Sequence, residues 1–205
     1  MPDARELVLY HIPQSRSLTV LWLLEELGRP YRIHQLDVAK NEQRGAEYRR
    51  LNPSGKVPAV ADGHTLLTER GAIMVHLADR YAPGRLAPAI DDPGRPDYLR
   101  WMFYAIGVME PLLTFAALKI DVEAPPGALA WGEWDTMIGV LEKGVAPGPF
   151  LLGEPFTAAD IMVGSFIGWA TAMQILPAGG PLADYLARVT ARPSWARTQA
   201  ADGTR

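Results

Sequence analysis

Three short stretches of this 205-residue chain carry residue types suited to chemistry at neutral pH. The first is Gln14-Ser15-Arg16-Ser17, two hydroxyls and a cation just ahead of an apolar helical run. At such a strand-to-helix turn, hydroxyls and the unsatisfied N–H groups of a helix start converge and favour an anion. The second is Val57-Pro58, preceded by Asn52-Pro53-Ser54-Gly55-Lys56. A proline with no N–H and a fixed φ suits a turn or strand start, and X–Pro is where a cis peptide occurs. Backbone groups beside it are left for something other than the sheet. The third is Thr68-Glu69-Arg70, which opens an amphipathic helix with Ile73, Leu77 and Tyr81 at four-residue spacing. A helix N-terminus attracts carboxylates. Side by side, the three suit a peptide-like anion. Each also has a plainer reading: Ser15 or Ser17 as a helix N-cap, and Val57-Pro58 as a tight turn.

The surrounding pattern shows what must hold these stretches in place. Glu6–His11 reads as an apolar strand and Leu18–Leu27 as a helix closed by Gly28 and Pro30. Tyr31–Asp37 alternates like a half-buried strand, and Glu42–Leu51 suits a short helix. Two short apolar runs flank Asp62-Gly63 as in a hairpin. The order β-α-β-α-β-β-α implies a layered α/β domain over residues 1–82. Residues 83–96 are dense in Pro, Gly and Asp and read as a linker. From 97 to 205 the pattern is helical, with helices expected over Asp97–Ile120, Ala128–Val145, Ala158–Leu176 and Leu182–Ala191, and a kink or break at Pro111. Within it, Phe156-Thr157-Ala158-Ala159-Asp160-Ile161 has the form of a capping box with a hydrophobic staple, a structural signal.

Composition narrows the functions available. A formal charge of −3 gives no reason to expect nucleic acid or an anionic membrane as partner. No segment approaches a transmembrane length, so a cytoplasmic protein is expected. The chain has no cysteine, which excludes disulfides, thiolate metal sites and a catalytic cysteine of its own. His11, His34, His64 and His76 show no metal-ligand spacing and read as solvated or hydrogen-bonded, so no metal is expected.

Five segments, LYHIPQSRSLTVLWLLEELG, LNPSGKVPAV, LTERGAIMVHLADRY, PFLLGEPFTAADIMV and YLARVTARPSW, together resemble the glutathione S-transferase superfamily. The wording LWLLEELG is most similar to its bacterial and fungal branch. The resemblance implies a thioredoxin-like N-terminal domain that binds glutathione as co-substrate, an all-helical C-terminal domain, and a homodimer. It implies that a serine in the first turn holds the glutathione thiolate. Ser15 is the first candidate, with Ser17 and Arg16 as alternates, because alignment on Val20–Gly28 places the usual serine at Gln14. Tyr10 reads as a strand residue.

By the same resemblance, Val57 offers its backbone to the cysteinyl unit ahead of a cis Pro58, Lys56 faces the glycyl carboxylate, and Glu69 meets the γ-glutamyl ammonium. Arg70 stands where the family typically has a carboxylate-binding serine. Tyr104 and Met109 become candidates for the pocket of a small hydrophobic electrophile. The implied activity is conjugation; glutathione-dependent peroxidase or disulfide reduction, and a non-catalytic binding role, are the alternatives.

Overall fold

The computed structural model describes residues 6–203. The chain divides into two compact units: one runs to Tyr81 and includes the segment from Pro193 onward, and the other is Ala82–Arg192.

In the first unit, strands β1 (Leu7–His11), β2 (Tyr31–Gln35), β3 (Ala59–Asp62) and β4 (Thr65–Thr68) form one sheet in the order β2-β1-β3-β4. The β1–β2 pair is parallel, joined by helix α1 (Ser17–Leu27), whereas β3 runs antiparallel to both β1 and β4. Central strand β1 explains the layering. Its alternation turns Leu7, Leu9 and His11 to one face, where all three are buried. Val8 and Tyr10 take the other face, and Tyr10 lies 5.7 Å, ring to ring, from Tyr48 of α2 (Ala46–Leu51). Helix α3 (Arg70–Tyr81) follows β4. This is the thioredoxin-like arrangement expected of the N-terminal half.

The second unit is helical: α4 (Arg95–Tyr104), a π-helical segment (Ala105–Met109), α5 (Glu110–Leu118), α6 (Trp134–Val145), α7 (Ala158–Ala172) and α8 (Pro181–Thr190). Residues 83–96 do not form a free linker. Their turns belong to this unit, and Leu86 O accepts the Ala158 N–H at 2.8 Å, tying them to the start of α7. Helix α6 starts six residues later than expected because Gly132, at φ +68°, turns the chain ahead of it.

Helical structure runs from Arg95 to Leu118, with its α-geometry interrupted just before Pro111, in line with the kink or break expected there. The π-helical turn immediately before Pro111 accommodates a residue with no N–H to give and a ring that crowds the preceding turn. By length and composition this run is long and apolar enough to cross a membrane, contrary to the expectation that no segment is. The same is true of core helices in folded domains, and here Tyr98, Trp101, Met102, Ala105, Met109 and Leu113 are buried.

Helix α9 (Pro193–Gly203) departs from the expected division, in which everything after residue 97 is one domain. It packs on α1 in the first unit. The rings of Trp195 and Trp22 are 4.6 Å apart, Trp22 donates to Ser194 Oγ at 3.2 Å, and Arg197 pairs with Glu25 at 2.7 Å.

The capping box at α7 forms as the sequence implies. Asp160 is fully buried and accepts from the Leu151 N–H (2.9 Å), the Thr157 N–H (2.8 Å), Thr157 Oγ1 (3.1 Å) and Tyr185 Oη (2.8 Å). Burial pushes its carboxyl pKa up, opposed by these donors. Thr157→Ala removes one cap and is expected to cost about 1–2 kcal/mol. Asp160→Ala strands several buried donors and should cost about 3 kcal/mol or more. Urea unfolding midpoints check the ranking, and equal losses contradict it.

Candidate functional site

The sheet register brings the three chemical stretches together. Tyr10 on β1 lies opposite Ala59 on β3, and Ala59 lies opposite Thr68 on β4. Just beyond that line come the turn after β1, the Val57-Pro58 peptide before β3, and Glu69-Arg70 after β4. With strands about 4.8 Å apart, the three are spread over roughly 10 Å at one end of the sheet. Ile12 of the first turn and Val57 also pack against one small cluster made by Leu36, Tyr48 and Ala59.

The first turn is held by a chain of hydroxyls. Ser15 Oγ donates to Ile12 O at 2.6 Å, lies 2.8 Å from Ser17 Oγ, and accepts the Ser17 N–H at 3.2 Å. It thereby serves the start of α1, a cap-like role that the plainer reading anticipates. Ser17 Oγ accepts the Ile12 N–H at 3.2 Å and stands 2.8 Å from His11 Nδ1. His11 Nε2 in turn lies 3.1 Å from Asp202 Oδ1 on α9, though its N–H is not aimed along that line. Asp202 also accepts the Gln14 N–H through both oxygens, at 3.3 and 3.2 Å.

Exposure separates the two serines. Ser17 has no accessible surface, whereas Ser15 is half-buried, as is Arg16 beside it. Burial pushes the His11 pKa down more strongly than Asp202 pulls it up, so the imidazole is neutral at pH 7. A neutral ring facing a carboxylate through Nε2 keeps its proton there, and Nδ1 accepts from Ser17. The single hydroxyl proton of Ser17 is committed inward; that of half-buried Ser15 is donated to Ile12 O at 2.6 Å and reaches a ligand only by turning away from that carbonyl.

The second stretch is held from behind. The Lys56 carbonyl accepts from both Tyr48 Oη and Asn52 Nδ2, each at 2.7 Å. Asn52, itself buried, also accepts from the Ser54 N–H and Oγ. Gly55 sits at φ +63°, where a Cβ would meet Gln43 O at 2.9 Å, so the loop requires glycine there. The Val57–Pro58 peptide is cis, and the β1–β3 register ends at Ala59, leaving the polar groups of Val57 outside the ladder. Lys56 is exposed.

At the third stretch Glu69 is exposed and adopts φ +65°, a left-handed conformation that costs a non-glycine residue roughly 1–2 kcal/mol. Its carbonyl accepts the Ile73 N–H at 2.9 Å, and α3 begins at Arg70. Gln14, at φ +54°, is a second such residue at the same end of the sheet. Two strained backbones flanking one surface are typical of a binding site.

Other expected residues fall elsewhere. Met109 lies in the π-helical segment with no exposed surface, so it meets no ligand without local opening. Tyr104 is half-buried, edge-on to Trp101 at 5.9 Å, and burial raises its pKa. Tyr10 packs in the cluster of Tyr48 and His34 as a strand residue. Among the described residues no three His, Asp or Glu side chains gather as a metal site would require. The sequence reading missed Tyr48, Asn52, His11 and Asp202. Of these, only His11 carries a sequence signal, its place on the Leu7–Leu9 face of β1.

Comparison with known proteins agrees with this geometry. Residues 5–79 match the glutathione S-transferase N-terminal domain, and residues 107–188 match the glutathione S-transferase C-terminal domain. Glutathione S-transferase 3 of Schizosaccharomyces pombe is 30% identical over 171 residues, covering 75% of this chain and 70% of that protein. The disulfide-bond oxidoreductase YfcG of Escherichia coli is 29% identical over 199 residues, 91% of each chain. A Sulfitobacter glutathione transferase homologue solved with bound glutathione superposes with a TM-score of 0.77 at 25% identity, over 96% of this chain and 98% of that one. The fold is that of a glutathione transferase, and the chain belongs to the glutathione S-transferase superfamily.

The His11 environment predicts an acid-side loss of stability. The unfolded chain protonates His11 near pH 6.5, whereas the folded chain does so only at lower pH. Protons therefore favour the unfolded state, and the His11 contribution, complete above about pH 6.5, fades as pH falls. His11→Asn should show a shallower decline in stability between pH 7 and pH 5. Parallel urea-derived stability curves for the two proteins contradict this.

Proposed function

We propose that the protein is a cytoplasmic glutathione transferase that holds the glutathione thiol as thiolate for attack on small hydrophobic electrophiles. The observation that carries the reading is the convergence at one sheet end of a half-exposed serine, a backbone edge outside the ladder, and a helix N-terminus with its acidic residue. An extended tripeptide spans about 10 Å, which is the reach from the β1 end to the β4 end.

In this reading each segment takes one part of the tripeptide. The γ-glutamyl carboxylate lies at the start of α3 with Arg70, whose guanidinium suits a bidentate contact, and Glu69 takes the ammonium. Val57 pairs with the cysteinyl backbone, and Lys56 faces the glycyl carboxylate. The thiol comes to the first turn, where Ser15 donates and the start of α1 adds its field. A free thiol has a pKa of about 8.5; stabilising the anion raises the thiolate fraction at pH 7, and the proton leaves to solvent. The thiolate then forms a C–S bond with the electrophilic carbon, expelling a leaving group or adding across a double bond. Met109, with no exposed surface, is not proposed as a contact for the electrophile. The exposed apolar Ile90 and Phe103 suit a partner subunit, consistent with a homodimer.

A second reading, disulfide reduction through two glutathione molecules, is favoured by the similarity to YfcG across nearly the whole chain. The absence of cysteine means no mixed disulfide forms on this protein.

Activity with an aryl halide and with a glutathione mixed disulfide, measured on the same preparation, separates the two. Ser15→Ala should lower kcat/KM for conjugation about a hundredfold, the scale for removing one donor to a developing anion. Ser17→Ala should lower it less. The reverse order contradicts the assignment, and turnover of the disulfide alone favours the second reading. Arg70→Ser should weaken glutathione binding about tenfold by calorimetry if the guanidinium holds the carboxylate. Tighter binding in that variant would refute the clamp.

A further inference from the structure

Helix α9 places one carboxylate against both flanks of the first turn. Asp202 accepts the Gln14 N–H with both oxygens, at 3.3 and 3.2 Å, holding that residue at φ +54°. It also places its charge 3.1 Å from Nε2 of His11, the ring whose Nδ1 lies 2.8 Å from Ser17 Oγ. Ser15 lies between these two anchors. Its backbone follows Gln14 directly, and its Oγ is 2.8 Å from that of Ser17. Ser15 belongs to the first eighty residues and Asp202 to the last helix, yet the two are part of one compact unit.

The anchoring has a chemical consequence. Left-handed backbone is unfavourable for glutamine, so Gln14 holds it only while something retains its N–H. The carboxylate does so, and its charge also keeps the His11 proton on Nε2, which makes Nδ1 the acceptor for Ser17. With the Ser17 proton turned inward, the more accessible hydroxyl is that of Ser15, which rests on Ile12 O and turns from it to meet a ligand.

We propose that Asp202 is a positioning residue for the candidate thiol site, acting through Gln14 and through the His11–Ser17 pair to aim the Ser15 hydroxyl. The inference rests on the glutathione reading of that site for its activity readout. Its structural part, the Nε2–H form of His11 imposed by Asp202, is independent of any ligand.

The test compares wild type, Asp202→Ala, Asp202→Asn, Ser15→Ala and the Ser15→Ala/Asp202→Ala pair, all as full-length protein. The readouts are kcat and KM for glutathione, the pH titration of bound glutathione by its thiolate ultraviolet absorbance, and ring nitrogen NMR of His11. Asp202→Ala should lower kcat about tenfold or more with KM little changed, and should raise the bound thiol pKa toward its free value. Asp202→Asn keeps an acceptor for Gln14 and should recover part of the loss. Should the alanine variant not fold, the asparagine variant carries the comparison.

In the Ser15→Ala background, removing Asp202 should cost little more, because the two act on one hydroxyl. His11 should be Nε2–H in the wild type. Additive losses in the double variant, or an Nδ1–H imidazole in the wild type, overturn the inference. A wild type that ionises no bound glutathione removes the functional reading instead, and the NMR result still decides the structural part.

Discussion

Every contact assigned to the candidate site depends on β1, β3 and β4 ending in register. Tyr10, Ala59 and Thr68 stand abreast, so the first turn, the Val57-Pro58 edge and the start of α3 open on the same side. In a sheet this constraint is severe. A one-residue slip of β3 would turn Val60 to the opposite face, where Ala59 packs with Leu36 and Tyr48, and carry Val57 away from the turn. The fully buried Leu7, Leu9, Val60, Leu21 and Leu24 hold the register. Burial of apolar surface in the first unit therefore also sets the geometry of the polar groups at its edge.

The polar layer behind that edge is what keeps its loops in unusual conformations. Asn52 and Tyr48 share the Lys56 carbonyl, and Asp202 retains the Gln14 N–H. Each is a buried or half-buried group with its partners close, the condition under which such networks rigidify a site instead of weakening it. Left-handed Gln14 is the visible result. The candidate thiol turn is thus supported from β1, α1 and α9 together, and α9 is the element furthest from it in sequence.

Much of this was legible in the chain. The apolar strand at Glu6–His11, the Asp62-Gly63 hairpin and the Thr157/Asp160 capping box each follow from local rules and appear in the structure. Helix α9 was not, for a specific reason. Its buried positions are Ser194, Thr198 and Asp202, spaced four apart and all polar. A search for apolar periodicity passes over such a face, because its burial rests on hydrogen bonds to α1 and the first turn. The roles of His11 and Asn52 were hidden similarly: their partners lie on other elements, and no spacing rule joins residue 11 to residue 202.

The central claim, that one end of the sheet is a glutathione cradle built from three segments, is tested most directly by backbone amide NMR during titration with reduced glutathione. The account predicts saturable shifts concentrated in Gln14–Ser17, Val57 and Glu69–Gly71, with Asp202 responding through the turn. Shifts confined to the second unit, or none at millimolar glutathione, would contradict it.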